Sequence, residues 1–402
     1  METPSEVIGL FHVWLKNNSG FWLDKGISFF YIWKRFHELT DQPPRFPFPM
    51  GVTIYDLARE AKVGIGTVSR CLNNHPAVAP ETRARVLAVM KRLNYHPHAY
   101  AQRLASRRSN TISCIIPYFT NYFFVQVLQG VQDKAGELGI DLILYGVNHP
   151  EQADHYLRRS LNRGHVDGVM FFSMKFPESF VGRFQQMQLP LVLVDAMHPQ
   201  FDSIRVENRE GALMAVRHLI GLGHKNIAMI NASLQTQPAQ ARLEGYRAAL
   251  EETGIGYVQD RLYVSSIGRQ DGFNREAGRA SMQELLRNPK NRREITAVFV
   301  ASDVQAIGAL EVARELGVRV PDDIAVVGFD DIELAAHSGL TTMRQPMHEM
   351  GELALEKLMA RVKDPQARPT LTSFMPELVI RTSCGAARRT GEHLPVDVPA
   401  NN

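Results

Sequence analysis

Thr53-Ile54-Tyr55-Asp56-Leu57-Ala58-Arg59-Glu60-Ala61-Lys62-Val63-Gly64-Ile65-Gly66-Thr67-Val68-Ser69-Arg70-Cys71-Leu72 reads as two short helices across a tight break. Thr53 is a good N-cap, and Ile54, Leu57, Ala58 and Ala61 recur at helical spacing on one face. The break at Lys62-Val63-Gly64 leads to a second helix from Ile65 to Leu72, with Val68 and Leu72 expected inward. Asn73-Asn74-His75-Pro76 reads as a turn, and a third helix starts at Pro80, carrying Val86, Leu87, Met90 and Leu93. Two helices joined by a tight glycine-containing turn make a helix-turn-helix, which aims its second helix into the DNA major groove.

The charge distribution agrees with that reading. Residues 51–110 hold ten Lys/Arg against three Asp/Glu, a net +7, whereas the residues after 110 hold 30 against 34, a net −4. A basic head on a mildly acidic body points to a polyanion at the head, although a solvated basic face would give the same charge. Hydrophobic residues are 45% and charged residues 22% of the 402, which excludes disorder, collagen and a disulfide-stapled miniprotein. No run approaches the roughly 20 apolar residues of a membrane span, so no membrane partner is expected. Cys71, Cys114 and Cys384 are far apart, with no CxxC pair. Neither a disulfide framework nor a zinc site is favoured, and a reducing, cytoplasmic setting fits best.

Residues 1–49 stand apart. They hold Trp14, Trp22 and Trp33, and close on the proline-rich stretch Asp41–Pro49, with Met50 directly after. Glu2 and Glu6 precede, and Lys16, Asp24 and Lys25 interrupt, the apolar residues, so a secretory signal does not fit. The expectation is an extension over 1–50 that arises from start-site choice or is dispensable, and Met50 can itself serve as an initiator.

After Thr111 the texture becomes α/β. Apolar runs suited to buried parallel strands recur at Ile112–Ile116, Leu142–Leu144, Gly168–Phe172, Leu191–Val194, Ile227–Ile230, Ala297–Val300 and Ile324–Val327. Helical stretches fall between them: Val125–Leu138, Gly211–Leu222, Gln240–Glu252, Arg275–Arg287 and Gln305–Leu316. Doubly wound sheets in two lobes are expected, with ligands beyond the strands' carboxyl ends. The segment 385–402 is polar and expected to be disordered. It lacks leucine heptads for a coiled coil.

Several motifs in order resemble the lactose/galactose repressor (LacI/GalR) family. They are Gly51–Val63 with Thr67–Asn73, Leu93-Asn94-Tyr95-His96-Pro97, Ala101-Gln102-Arg103-Leu104, Asn121–Phe124, Val166–Val169, His218–His224, Arg242–Tyr246, Ala301-Ser302-Asp303 and Val320–Asp331. The resemblance runs from residue 51 to 384. It implies an α/β protein in which an all-α helix-turn-helix DNA-binding head (51–98) joins, through a hinge helix and linker (99–110), a two-lobed periplasmic-binding-protein-like (type I) sensor core (111–384). It also implies a homodimer on pseudo-palindromic operator DNA, regulated by a small sugar-like effector, with no cofactor and no metal.

In the head, Thr53, Thr67, Ser69, Asn73 and Tyr95 can bond phosphates and set register. Ile65 and Gly66 occupy the family's reading positions, and Arg70 can grip guanine bidentately. Local capping would explain Thr67 and Ser69 equally, and Arg70 could be an ordinary surface charge. Three departures from the family pattern concern helix starts and readout: Gly64 and Ala79 stand where serine or threonine caps are usual, and Gly66 offers no side chain. The stretch Ala99–Ser106 resembles the family's hinge helix. Leu104 matches the leucine that wedges into the minor groove at a central CG step, unless it only packs on the core.

In the core, the resemblance places Phe123, Phe124, Asp195, Arg242, Phe273, Ser302 and Asp330 at the effector. The carboxylates, guanidinium and hydroxyl would bracket sugar hydroxyls, and a phenylalanine would stack on the ring. Phe123 fits core as well as pocket, and Asp303 and Asp331 read as structural caps. Ser302 replaces a common asparagine, and Tyr118 a frequent aspartate. The chain is expected to cross between lobes near Val206, Arg344 and Pro369.

Two other classes fit the sequence less well. A stand-alone sugar sensor or transport component would carry a signal peptide and no basic head. An enzyme on the α/β core would need a phosphate loop, yet neither GxGxxG after a strand nor GxxxxGK[ST] occurs. His149, His155 and His165 lack the spacing of a metal helix.

Overall fold

The computed structural model describes residues 52–72, 75–95, 109–118, 120–162, 165–267 and 270–386. The chain divides into two compact units, one ending at His98 and the other starting at Ala99. The expectations for residues 1–50, Asn73, the hinge with Leu104, and 387–402 fall outside the described residues.

In the first unit, α1 is Ile54–Glu60, α2 Ile65–Leu72 and α3 Pro80–Arg92. Thr53 and Asp56 form a reciprocal capping box: Asp56 N–H donates to Thr53 Oγ1 at 3.3 Å, and Thr53 N–H to Asp56 Oδ2 at 3.0 Å. Leu57, Ala58, Ala61, Val68, Cys71, Val86, Val89 and Tyr95 make the core of the head. Burying such side chains contributes about 1.5–3 kcal/mol for each large one. Two inward positions differ from expectation. On α2 the buried pair is Val68 and Cys71, with Leu72 only half-buried, because Cys71 follows Val68 by three residues. On α3, Val89 is buried and Leu87 is 46% exposed, because Val86 and Val89 share the inward stripe that Leu87 leaves.

The second unit carries two parallel sheets. The first, in the order β11-β5-β4-β3-β1-β2, uses β1 Thr111–Pro117, β2 Asp141–Val147, β3 Gly168–Phe172, β4 Leu191–Val194, β5 Asp202–Val206 and β11 Leu371–Phe374. Between them lie α4 Tyr122–Leu138, α5 Pro150–Ser160 and α6 Glu178–Met187. β3 and β4 are buried along their whole length, as expected where helices cover both faces. The second sheet, β7-β6-β8-β9, uses β6 Ile227–Asn231, β7 Leu262–Val264, β8 Ala297–Val300 and β9 Ala325–Val327. Its helices are α7 Asn208–Gly221, α8 Gln237–Glu252, α9 Arg275–Arg287, α10 Pro289–Glu294, α11 Asp303–Glu315 and α12 Glu333–His337.

The chain passes from the first sheet to the second after Val206. It returns after β10 (Thr342–Arg344), because α13 (Met347–Lys363) packs on α4, β3 and β4. The third crossing is a correction. Thr370 and Leu371–Phe374 still bond to β5, so the chain crosses at Met375–Pro376 rather than near Pro369, after which β12 (Glu377–Val379) pairs antiparallel with β10. The short strands β5, β7, β10, β11 and β12 carry no long apolar run, and the sequence does not announce them.

Glycines let three helix pairs approach closely. A methyl group on Gly130 of α4 would overlap the His348 carbonyl of α13, and one on Gly351 of α13 would overlap the Val127 carbonyl of α4. Gly278 of α9 and Gly308 of α11 meet the Gln305 and Arg275 carbonyls in the same reciprocal way, and Gly245 of α8 meets that of Arg209 in α7. Among the described residues, no helix is long and apolar enough to cross a membrane.

Candidate DNA-reading face and effector cleft

On α2, Ile65, Gly66 and Arg70 are exposed and Ser69 is half-buried, while Val68 and Cys71 turn inward. The spacings 65/69 and 66/70 put these residues on one face, opposite the core. Ile65 is 42% exposed on that face. Open space surrounds the missing Cβ of Gly66 and that of Gly64, whose carbonyl accepts from Thr67 N–H and Val68 N–H. Ala79 precedes α3 with no side-chain cap.

Two members of the expected phosphate set also serve the head's own structure. The Thr53 hydroxyl donates to Asp56 Oδ2 at 2.6 Å, and this bond, with the Thr53 N–H and Arg59, holds the Asp56 carboxyl below its usual range. Its proton is therefore committed within the capping box. Tyr95 is 5% exposed and closes the head's core, where burial raises its phenol pKa. Its ring belongs to the core, while its hydroxyl sits at the edge of that core. Asn73 and Leu104 lie outside the described residues.

In the second unit a cavity of about 130 Å³ opens beyond the carboxyl ends of both sheets. All seven expected effector residues line it: Phe123, Phe124, Asp195, Arg242, Phe273, Ser302 and Asp330. Phe123 and Phe124, at the start of α4, meet edge to face with centroids 5.2 Å apart. Phe124 is the more buried and reaches the core, while Phe123 packs against it from the cavity side.

Arg242 organises the polar wall. It is buried in α8, with its guanidinium 3.8 Å above the centre of the Phe329 ring. Its Nε donates to Asn208 Oδ1 at 2.9 Å, Nη1 donates to the Ala301 carbonyl, and Nη1 lies 3.6 Å from Asp330 Oδ1. Burial lowers its pKa, and the carboxylates of Asp330, Asp195 and Asp303 act the other way. Burial pushes the Asp330 carboxyl up to about 6, against the pull of Arg242 and of Gln345, whose Nε2 donates to Oδ1 at 2.6 Å. Burial raises Asp195 as well, while Ser173 Oγ–H donates to its Oδ2 at 2.6 Å. The wall thus offers both donors and acceptors, held in place before a ligand arrives.

Ser302 lines the cavity, but its hydroxyl caps α11, accepting from Gln305 N–H and donating to Gln305 Oε1 at 3.1 Å. Its reach to a ligand is correspondingly short. Asp303 is structural as expected: buried, it accepts from Thr342 Oγ1 at 2.6 Å and from Ile332 N–H at 3.1 Å. Asp331 pairs with Arg344 at 2.7 Å and Arg381 at 2.7 Å.

The cavity also takes in residues the sequence reading passed over, among them Ser173, Met174, Thr236, Pro238, Asp271 and Val304. Ser173 and Met174 follow β3 directly, so the carboxyl-end rule could have found them. Backbone geometry marks the same rim: Tyr118, Ser173 and Asp195, each the residue after a strand, have φ of 49°, 46° and 52°, and Asp330 has 125°. Non-glycine residues rarely adopt such angles, at a cost of about 1–3 kcal/mol each, and they cluster where side chains must be aimed at a ligand. No sequence signal announced Asp271, which sits in an irregular loop.

Comparison with known proteins supplies the context. Residues 53–98 match the family described as bacterial regulatory proteins, lacI family, and residues 216–384 match the periplasmic binding protein-like domain. Catabolite control protein A of Priestia megaterium is 33% identical over 314 residues, covering 77% of this chain and 92% of that protein. The ribose operon repressor of Escherichia coli (strain K12) is 33% identical over 336 residues, covering 82% and 99%. The lac repressor dimer bound to operator and the anti-inducer ONPF superimposes with a TM-score of 0.72 at 26% identity, covering 83% of this chain and 99% of that one. A complex of the transcriptional regulator CelR with cellobiose gives a TM-score of 0.61 at 29% identity, with the same coverage.

Proposed function

From the premise that the chain belongs to the lacI family of bacterial regulatory proteins, we propose that it is a cytoplasmic repressor whose affinity for a pseudo-palindromic operator is set by a sugar-like effector in the cleft. It is a DNA-binding, ligand-responsive transcription regulator, not an enzyme, and it acts as a homodimer. Two-fold operator symmetry calls for two heads, and the sensor lobes supply the pairing surface.

The observation that carries the effector reading is the convergence of Asp195, Arg242, Phe273 and Asp330, from four separate segments, on one cavity. Charged donors and acceptors beside aromatic faces suit a polyhydroxylated ring. In the head, Ile65 and Arg70 read base edges, Gly66 lets the helix backbone approach, and Thr67, Ser69 and Asn73 bond phosphates. Leu104 wedges the minor groove. The organisation we assign is an extension over 1–50, a head over 51–98, a hinge over 99–110, a sensor core over 111–384 and a tail over 385–402.

The test is selection of DNA from a random pool by the full chain, with and without a mixture of sugars. An enriched palindrome with a central CG step, in a sugar-dependent yield, is expected. No enrichment in either condition would overturn the regulator reading for this head.

A further inference from the structure

The effector cavity has a neighbour across Asp195. A second cavity, of about 290 Å³, shares Asp195 and Pro238 with it as a common wall and extends toward the first lobe crossing. Its character is different. The first cavity presents Phe123, Phe124 and Phe273, whereas the second presents Arg205, Asn208, Arg209 and Gln237, with Met197 at its edge.

These groups suit a hydroxylated ligand. Gln237, the first residue of α8, is exposed, and its carboxamide can both donate and accept. Arg205 is already paired with Glu207 at 2.8 Å, and Arg209 pairs with Glu210, so the wall offers oriented polar groups with little net charge. Met197 is 53% exposed, a polarizable apolar surface for a ring face. Asn208 lines the second cavity, and its Oδ1 accepts from the Nε of Arg242, which lines the first.

We propose that the effector is a disaccharide, with one ring among the phenylalanines and Arg242, and the second ring past Asp195 and Pro238 against Met197, Arg209 and Gln237. This rests on the reading of the cleft as a sugar site. One ring fills the smaller space, and the larger, more polar one is where its neighbour emerges. A monosaccharide would leave that second wall unused.

The experiment is calorimetric titration of the full chain with glucose, cellobiose and maltose, and with galactose, lactose and melibiose. The expected result is one disaccharide binding at least about 10-fold more tightly than either of its own monosaccharides, a difference of about 1.4 kcal/mol. The ratio of disaccharide to monosaccharide affinity is then measured in Gln237→Trp, which fills the second cavity, and in Met197→Ala, which removes its apolar edge. Both should bring the ratio toward one, and thermal melting checks that each variant is folded. A monosaccharide that binds as tightly as its disaccharides would overturn the proposal while leaving the sugar site standing. So would a ratio untouched by both variants. Failure of every sugar to bind would overturn both.

Discussion

Replacing Arg242 by leucine removes the only guanidinium that lines the effector cavity among the described residues. Leucine keeps the apolar stem but leaves Asp330, whose Oδ1 lies 3.6 Å from Nη1, without its ion-pair partner, and abandons the acceptors on Asn208 and Ala301. Breaking a buried pair by removing one partner costs about 3–5 kcal/mol. At pH 7.5 that loss should lower the melting temperature of the sensor core by about 10 °C. The pH dependence then separates charge from packing. Burial already lifts the folded-state Asp330 carboxyl to about 6, and losing Arg242, which pulls it down, moves it higher. Its unfolded value is the ordinary carboxylate one, about 3.9. Between those values the folded state binds more protons than the unfolded one, so the penalty is complete above the folded pKa and is relieved as pH falls through it. At pH 5 the deficit of Arg242→Leu relative to the unaltered protein should therefore shrink to the lost hydrogen bonds, about 1–2 kcal/mol. Adding Asp330→Asn should recover part of the pH 7.5 loss. Urea titrations of the three proteins at both pH values decide it. A deficit equal at the two pH values, or one below about 1 kcal/mol at pH 7.5, would refute the claim that Arg242 neutralises the buried carboxylates.

Arg70→Ala should weaken binding to the selected operator by about 1–3 kcal/mol and spare random DNA, as measured by fluorescence anisotropy. An equal loss on both would show that Arg70 meets only phosphate. Ala79→Ser supplies the missing cap of α3 and should add about 1 kcal/mol to head stability, read as an upward shift of the head's melting transition. No shift would mean that the backbone at Ala79 does not present its side chain to the helix. Leu104→Ala should reduce operator affinity while leaving the calorimetric binding of sugar intact, and unchanged operator affinity would refute the wedge.

How much could be read from the chain alone depended on the physical signal each part carries. β3, β4 and β8 were legible to the residue because strands covered on both faces must be continuous apolar runs. β5 and β11 were invisible because edge and near-edge strands tolerate Asp202, Arg205 and Thr372, and their pairing depends on partners far away in the chain. That is also why the third crossing was misplaced by several residues. In the cleft, Arg242 and Asp330 were found through their motifs, yet nothing in the sequence shows that a guanidinium would lie over Phe329 or that Gln345 would bond Asp330. Those contacts join elements about fifteen to ninety residues apart.

The glycine crossings of α4 with α13, α9 with α11 and α7 with α8 bear on how a signal can travel. Where backbone touches backbone there is no side chain to rearrange, so each lobe has little internal slack and moves as a block. The work of an arriving effector then has to be absorbed in the few residues that join the blocks: around Val206, around Arg344 and Gln345, and at Met375–Pro376. Substitutions that retune the response without altering either ligand site should be found there, in less than a twentieth of the chain, and not in the much larger interior of the lobes.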